Sequence, residues 1–163
     1  MEIIERITIN CTPDKVYDTL LFFFRNSENY KLWHNDHISC YWKKGKDFSP
    51  GSILIAEEYL HGTPHRLGFR IINCNPNSIL EYKMLFPFSI ICSGGLFKII
   101  SKGKETELIA QLSFRFGFLL KVLFKKAIES LCNHMKEEGV SIKAIIEETH
   151  SKYKHLHTTQ YKQ

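Results

Sequence analysis

The stretch FLLKVLFKKAIESLCNHMKEEGVSIKAIIEE, Phe118 to Glu148, is the longest helix-like pattern in the chain. At about 100° per residue, Leu120, Leu123, Phe124, Ala127, Leu131, Ile142 and Ile145 share one arc. Lys125, Lys126, Glu129, Asn133, Lys136, Glu137, Lys143 and Glu147 lie outside it. Two ionisable residues fall on the apolar arc. Glu138 takes the bearing of Leu120 and lies about 20° from Ala127 and Leu131, and His134 lies about 40° from Glu138. A carboxylate and an imidazole one turn apart on a buried face need partners. A metal-free His–Glu hydrogen bond would satisfy both groups. A helix ending near Gly139 would instead leave Glu138 in water.

The rest of the chain supplies a sheet for this helix to pack on. Glu2–Ile9 alternates as a strand. Thr12-Pro13-Asp14 opens a helix with Thr as N-cap, Pro in the first turn and an acid beside it, running to about Phe24. Arg25-Asn26-Ser27 breaks it, and Glu28–Trp33 forms a second short helix. Six β-like runs follow: His37–Lys44, Ser52–Leu60, His65–Asn73, Ile79–Leu85, Ser93–Ser101 and Glu107–Phe116. Short turns such as Gly62-Thr63-Pro64 and Lys102-Gly103-Lys104 separate them, which implies an antiparallel meander rather than parallel crossovers. The expected fold is α+β: a curved, seven-stranded antiparallel sheet wrapped around the long C-terminal helix, with a cavity between them. Residues 1–148 form one domain on this reading, and 149–163 form a disordered polar tail.

Composition narrows the function. The chain has 163 residues, 44% apolar and 24% charged, as a soluble domain with its own core would. Aromatics reach 13%, enough to line a cavity for an apolar small molecule. The net charge of +5 is scattered or in the tail, without the basic run and surface aromatics that nucleic-acid binding favours. No apolar run is long enough to insert stably in a membrane. The N-terminus lacks the pattern of a secretory signal, and five cysteines without a Cys-x-x-Cys read as reduced thiols, so a cytoplasmic location is expected. One stretch stands apart: Phe114-Arg115-Phe116-Gly117-Phe118-Leu119-Leu120, followed by Lys121–Lys126, is apolar and then basic, as in peripheral membrane docking. A strand end leading into a buried helix would have the same composition. Oligomeric state is not legible.

Partners for His134 and Glu138 come from two places. One is Tyr30-Lys31-Leu32-Trp33-His34-Asn35-Asp36-His37; the other is Glu57-Glu58, in a strand whose two alternating sets are both apolar enough to face inward. An inward His and an inward Glu would complete a two-His, two-carboxylate set of the kind that binds zinc, iron or manganese.

The order of elements, the Thr-Pro-Asp-Lys-Val-Tyr helix opening and the Tyr-x-x-Trp after it resemble the START-related, helix-grip superfamily that includes polyketide cyclases and lipid-transfer domains. Three segments resemble the diacetylphloroglucinol hydrolase family, zinc enzymes that cleave a carbon–carbon bond beside a ketone. Tyr30–His37 is similar to that family's Tyr-Lys-x-Trp segment ending in a ligand His, Ala56–Gly62 to its strand with the first Glu ligand, and His134-Met135-Lys136-Glu137-Glu138 to its His-x-x-x-Glu. The resemblance implies zinc held by His37, Glu58, His134 and Glu138, with Tyr30 as a catalytic phenol. It further implies hydrolysis of a hydrophobic, aromatic acyl or ketone compound. The first segment is one residue shorter than in the hydrolase, with Asn35 in place of Pro, so His34 is a rival ligand. A non-catalytic carrier of lipids or aromatic metabolites is the alternative function.

Overall fold

The computed structural model describes residues 1–117 and 122–160, with side chains in 1–117 and 122–148. The elements run β1 (Glu2–Ile9), α1 (Pro13–Phe23), α2 (Ser27–Trp33), β2 (His37–Lys44), β3 (Ile53–Leu60), β4 (Thr63–Asn75), β5 (Ile79–Met84), a 3-10 turn (Phe88–Ile90), β6 (Cys92–Lys102), β7 (Glu105–Phe114) and α3 (Lys125–Gln160). All seven strands join one antiparallel sheet in the order β1-β7-β6-β5-β4-β3-β2. The expected α+β helix-grip arrangement is the one observed.

The core lies between the concave sheet, α1, α2 and α3. Val16, Leu20 and Phe23 of α1 are fully buried, as the spacing of that helix predicts, and meet Tyr30, Trp33, Ile71, Leu80 and Ile142. Trp33 joins the last turn of α2 to the middle of α3. Its Nε1–H donates to the Glu138 carbonyl at 3.1 Å, and the Ser141 hydroxyl donates to the Trp33 carbonyl. Its ring stacks on Phe23 with centroids 5.3 Å apart. Apolar burial and two hydrogen bonds thus fix the axial position of α3 against α2.

Two features of α3 correct the periodic reading. The helix passes straight through Gly139, so Glu138 is not left in water at a helix end. Gly139 faces β1, where an added Cβ would lie 3.7 Å from Ile7, so its small size suits a close helix–sheet approach. At the other end, a bend at Phe124 precedes Lys125. Leu123 and Phe124, expected on the buried arc, are 63% and 54% exposed, because the break resets the helical phase. Leu120 and Phe118 lie outside the described residues. Past residue 148, where a disordered tail was expected, the backbone continues as helix to Gln160; no Gly or Pro follows Gly139 to stop it. Residues 161–163 lie outside the described residues.

In β6, Gly95 pairs with Tyr82, and a Cβ there would meet the Gln111 carbonyl oxygen and lie 2.7 Å from the Tyr82 hydroxyl. The missing side chain lets the Tyr82 ring lie flat along the sheet under the cavity. Gly95→Ala should therefore destabilise the protein by roughly 1–3 kcal/mol, the usual cost of overpacking. Urea unfolding measures this, and an unchanged midpoint would show that the strand absorbs the methyl.

Candidate functional site

Tyr30 lies in the middle of α2 and His34 caps its end, His37 begins β2, Glu58 lies in β3, and His134 and Glu138 lie one turn apart on α3. The sheet resolves the parity that the sequence leaves open. Leu54, Ala56 and Glu58 are buried, whereas Tyr59 is 45% exposed and Glu57 faces outward, accepting a hydrogen bond from the Ser39 hydroxyl at 3.1 Å. The inward glutamate is Glu58. On β2, strict alternation from buried Cys40 would turn His37 outward. A β-bulge between His37 and Ser39 inserts one residue, so His37 pairs with Glu58 and both point inward.

Hydrogen bonds then fix which imidazole nitrogens can act as ligands. His37 Nδ1 lies 3.1 Å from the Tyr30 carbonyl. A carbonyl only accepts, so Nδ1 carries the hydrogen and neutral His37 presents a lone pair at Nε2. That Nε2 lies 3.0 Å from Glu138 Oε1. A lone pair and a carboxylate oxygen at this distance need a proton or a cation between them. His134 is similar: Nδ1 lies 3.4 Å from Asp36 Oδ2, and Nε2 has no hydrogen-bond partner among the described residues despite burial. That Nε2 lies 3.7 Å from Glu138 Oε1 and 4.0 Å from Glu58 Oε2. The Tyr30 hydroxyl donates to the other Glu58 oxygen, and the Tyr30 ring stacks on His37 with centroids 3.9 Å apart.

His34 is differently engaged. Its Nδ1 accepts the Asp36 N–H at 3.2 Å, which leaves Nε2–H to donate to Glu137 Oε2 at 3.3 Å. Donor atoms of His34, His37 and His134 fall within 4.8 Å of one another, but both His34 nitrogens already have partners. Asp36, in the quoted cluster but without an expected role, orients His134. Its position two residues after His34 and one before His37 was the available signal. The contact itself depends on how α3 docks, which no local pattern encodes.

The electrostatics follow from burial. Desolvation pushes Glu138 up to about 7, against the pull of His134 and His34. It also raises Glu58, with His37 pulling the other way. Burial lowers His37 despite Glu58, keeping the ring neutral at ordinary pH. Burial and then Glu58 push Tyr30 far up, so its hydroxyl remains a donor.

Tyr30, Glu58, His134 and Glu138 edge a cavity of about 170 Å³ whose remaining lining is mostly apolar, including Leu54, Phe69, Ile71, Leu80, Met84 and Phe97. A space of this size suits a single aromatic ring. Among the described residues no helix is long and apolar enough to cross a membrane, and all five cysteines are free thiols.

Solved structures match nearly the whole chain. Major latex-like protein 151 from Panax ginseng is 14% identical over 88% of this chain and 95% of its own, with a TM-score of 0.69. The Zhui aromatase/cyclase from a Streptomyces species is 14% identical over 90% of each chain, with a TM-score of 0.64. Ara h 8.0201 is 12% identical over 91% of this chain and 98% of its own, with a TM-score of 0.65. This is the helix-grip fold. At such identities the likeness carries the fold and not the chemistry. No protein-family model and no curated protein matches the chain, so the hydrolase resemblance rests on its three motifs.

The position of Glu138 has a pH signature in metal-free protein. Its value when folded lies above the ordinary 4.5, so the folded state holds a proton that the unfolded chain releases. The stability tied to this group is present below about pH 4.5 and is lost as pH rises through about 7. Glu138→Gln removes that loss. In urea unfolding with chelator present, the variant should gain stability relative to wild type between about pH 5 and pH 8. A difference that does not change with pH would mean that Glu138 is solvated.

Proposed function

We propose that the chain is a metal-dependent hydrolase acting on a small, apolar, aromatic acyl or ketone compound, with zinc held by His37, Glu58, His134 and Glu138. The observation that carries this reading is the convergence of two imidazole lone pairs, a buried carboxylate and a part-buried one at the wall of an apolar cavity. Donors that share one ion at bonds of about 2.0–2.2 Å lie no more than about 4.2 Å apart. The separations of 3.0, 3.7 and 4.0 Å fall within that reach. A dication would also balance two carboxylates that are otherwise costly to bury. When bound, with a position beyond these four side chains open to a water or substrate oxygen, the ion would supply polarisation of a carbonyl and acidification of a water.

The chain's own groups do the rest. The apolar cavity holds the ring of the substrate and excludes bulk water from it. The Tyr30 carbonyl and the Asp36 carboxylate keep Nε2 of His37 and His134 free to bind, as outer partners of metal-ligating histidines do. The Tyr30 hydroxyl, expected to meet a substrate oxygen, is held by Glu58, so its first role is to position that carboxylate. A carrier of apolar ligands is the second reading, favoured by the mostly apolar lining of the cavity.

Elemental analysis of untagged protein separates the two. The hydrolase reading expects about one equivalent of zinc, lost in His134→Ala together with hydrolysis of an acylated phenol, and kept in His34→Ala. Asp36→Asn should weaken zinc binding roughly 10–100-fold without removing a ligand. Full occupancy in His134→Ala would sink the ligand set, and apolar ligand in protein that binds no zinc would favour the carrier.

A further inference from the structure

Two loops and the start of α3 place large apolar side chains in solvent at one end of the sheet. Phe86 is 80% exposed, Ile90 55% and Ile91 44%; Phe116 is 63% exposed, Leu123 63% and Phe124 54%. The two loops adjoin, since the Arg115 N–H donates to the Ile91 carbonyl at 2.8 Å and Cys92 pairs with Phe114, and α3 meets them through Leu131, two turns after Phe124, which lines the same cavity as Phe88 and Phe114. A strand running into a packed helix would have buried these groups, so composition alone does not explain their position. Phe116 also has φ 54°, a left-handed conformation uncommon for an aromatic residue.

The sequence of these segments is basic. Neither 85–92 nor 114–128 contains an acidic residue, and exposed Arg115, Lys125 and Lys126 flank the apolar groups. Glu129 pairs with Lys125 at 3.8 Å, and Lys126 borders a cleft that also holds Asp36 and Glu137, so the acids lie on one side of the apolar groups and Arg115 lies among those apolar groups. The cavity reaches the same place: Phe88 and Phe114, from these same segments, line it.

We propose that this face docks on an anionic lipid surface, with the apolar side chains in the headgroup boundary, the cations on lipid phosphates and the cavity open towards the membrane. The arrangement is that of an interfacial anchor: apolar area for insertion, and basic residues for attraction to anionic lipid. It places a reservoir of apolar ligands at the cavity entrance and stands whether or not the site holds metal.

Vesicle co-sedimentation tests it, with phosphatidylcholine alone and mixed with phosphatidylglycerol. Wild type should sediment with the mixed vesicles, less with phosphatidylcholine, and less again at high salt. Phe116→Ser/Leu123→Ser/Phe124→Ser and Lys125→Glu/Lys126→Glu should each weaken binding on the order of tenfold or more. Thermal unfolding checks that each variant is folded; if the serine variant is not, the charge variant and the salt series decide. The proposal fails if wild type stays in the supernatant with both vesicle types, or if the variants bind as wild type does. It also fails if wild type is a dimer that the serine substitutions dissociate, because the face would then cover a second copy.

Discussion

Glu138 lies 3.0 Å from an imidazole nitrogen whose ring has already given its hydrogen to a backbone carbonyl. This contact makes the interior of the protein unusual. An apolar cavity can tolerate a neutral histidine, and it can tolerate a carboxylic acid. It cannot hold two carboxylates and two imidazole lone pairs facing one another without positive charge among them. Below about pH 7, a proton on Glu138 answers the need. On the proposed reading a cation would answer it above that pH, and the hydrogen bonds of His37 and His134 leave ring nitrogens rather than hydrogens facing the gap.

Two local devices build that contact. The bulge in β2 turns His37 inward beside Glu58, and without it Ser39 and His37 would share the outer face. The Trp33 indole and the Ser141 hydroxyl then lock α3 at one axial position against α2. A slide of α3 by one residue is about 1.5 Å with a turn of about 100°, enough to carry His134 and Glu138 away from the sheet. Since Trp33 donates to the carbonyl of Glu138 itself, the clamp acts on the same residue whose carboxylate meets His37. Packing and site geometry are thus set by the same few contacts.

This division explains what could be read from sequence. Strand alternation, turn residues and the Thr12-Pro13 helix start are local, and the resulting order of elements agrees with the sheet to within one or two residues at most boundaries. Glu138 was selected over Glu137 by helical bearing, and Glu137 indeed points outward to His34. Glu57 and Glu58 could not be separated by alternation, because Ile53 and Ile55 are as apolar as Leu54 and Ala56; only the docked helix distinguishes the faces. His34 and His37 required the bulge, which has no sequence marker here. Leu123 and Phe124 are exposed, against their helical bearing, because the bend at Phe124 breaks the single phase that the apolar run suggests.

His134 occupies a boundary that bears on the choice between enzyme and carrier. One side of it lines the apolar cavity. The other lines a polar cleft shared with Asp36, His61, Lys126, Asn133 and Glu137. Hydrolysis brings an apolar substrate and water to one point and releases a polar fragment, so the reacting group belongs where an apolar and a polar compartment meet. A carrier needs only the apolar compartment and is better served by a wall without ionisable groups, since each buried one costs stability unless paired. The Asp36–His134 contact spans that wall, joining a half-exposed carboxylate to a buried ring whose far nitrogen faces Glu58 and Glu138. Such a connection gives a buried site an outlet for charge toward water, which suits chemistry more than storage.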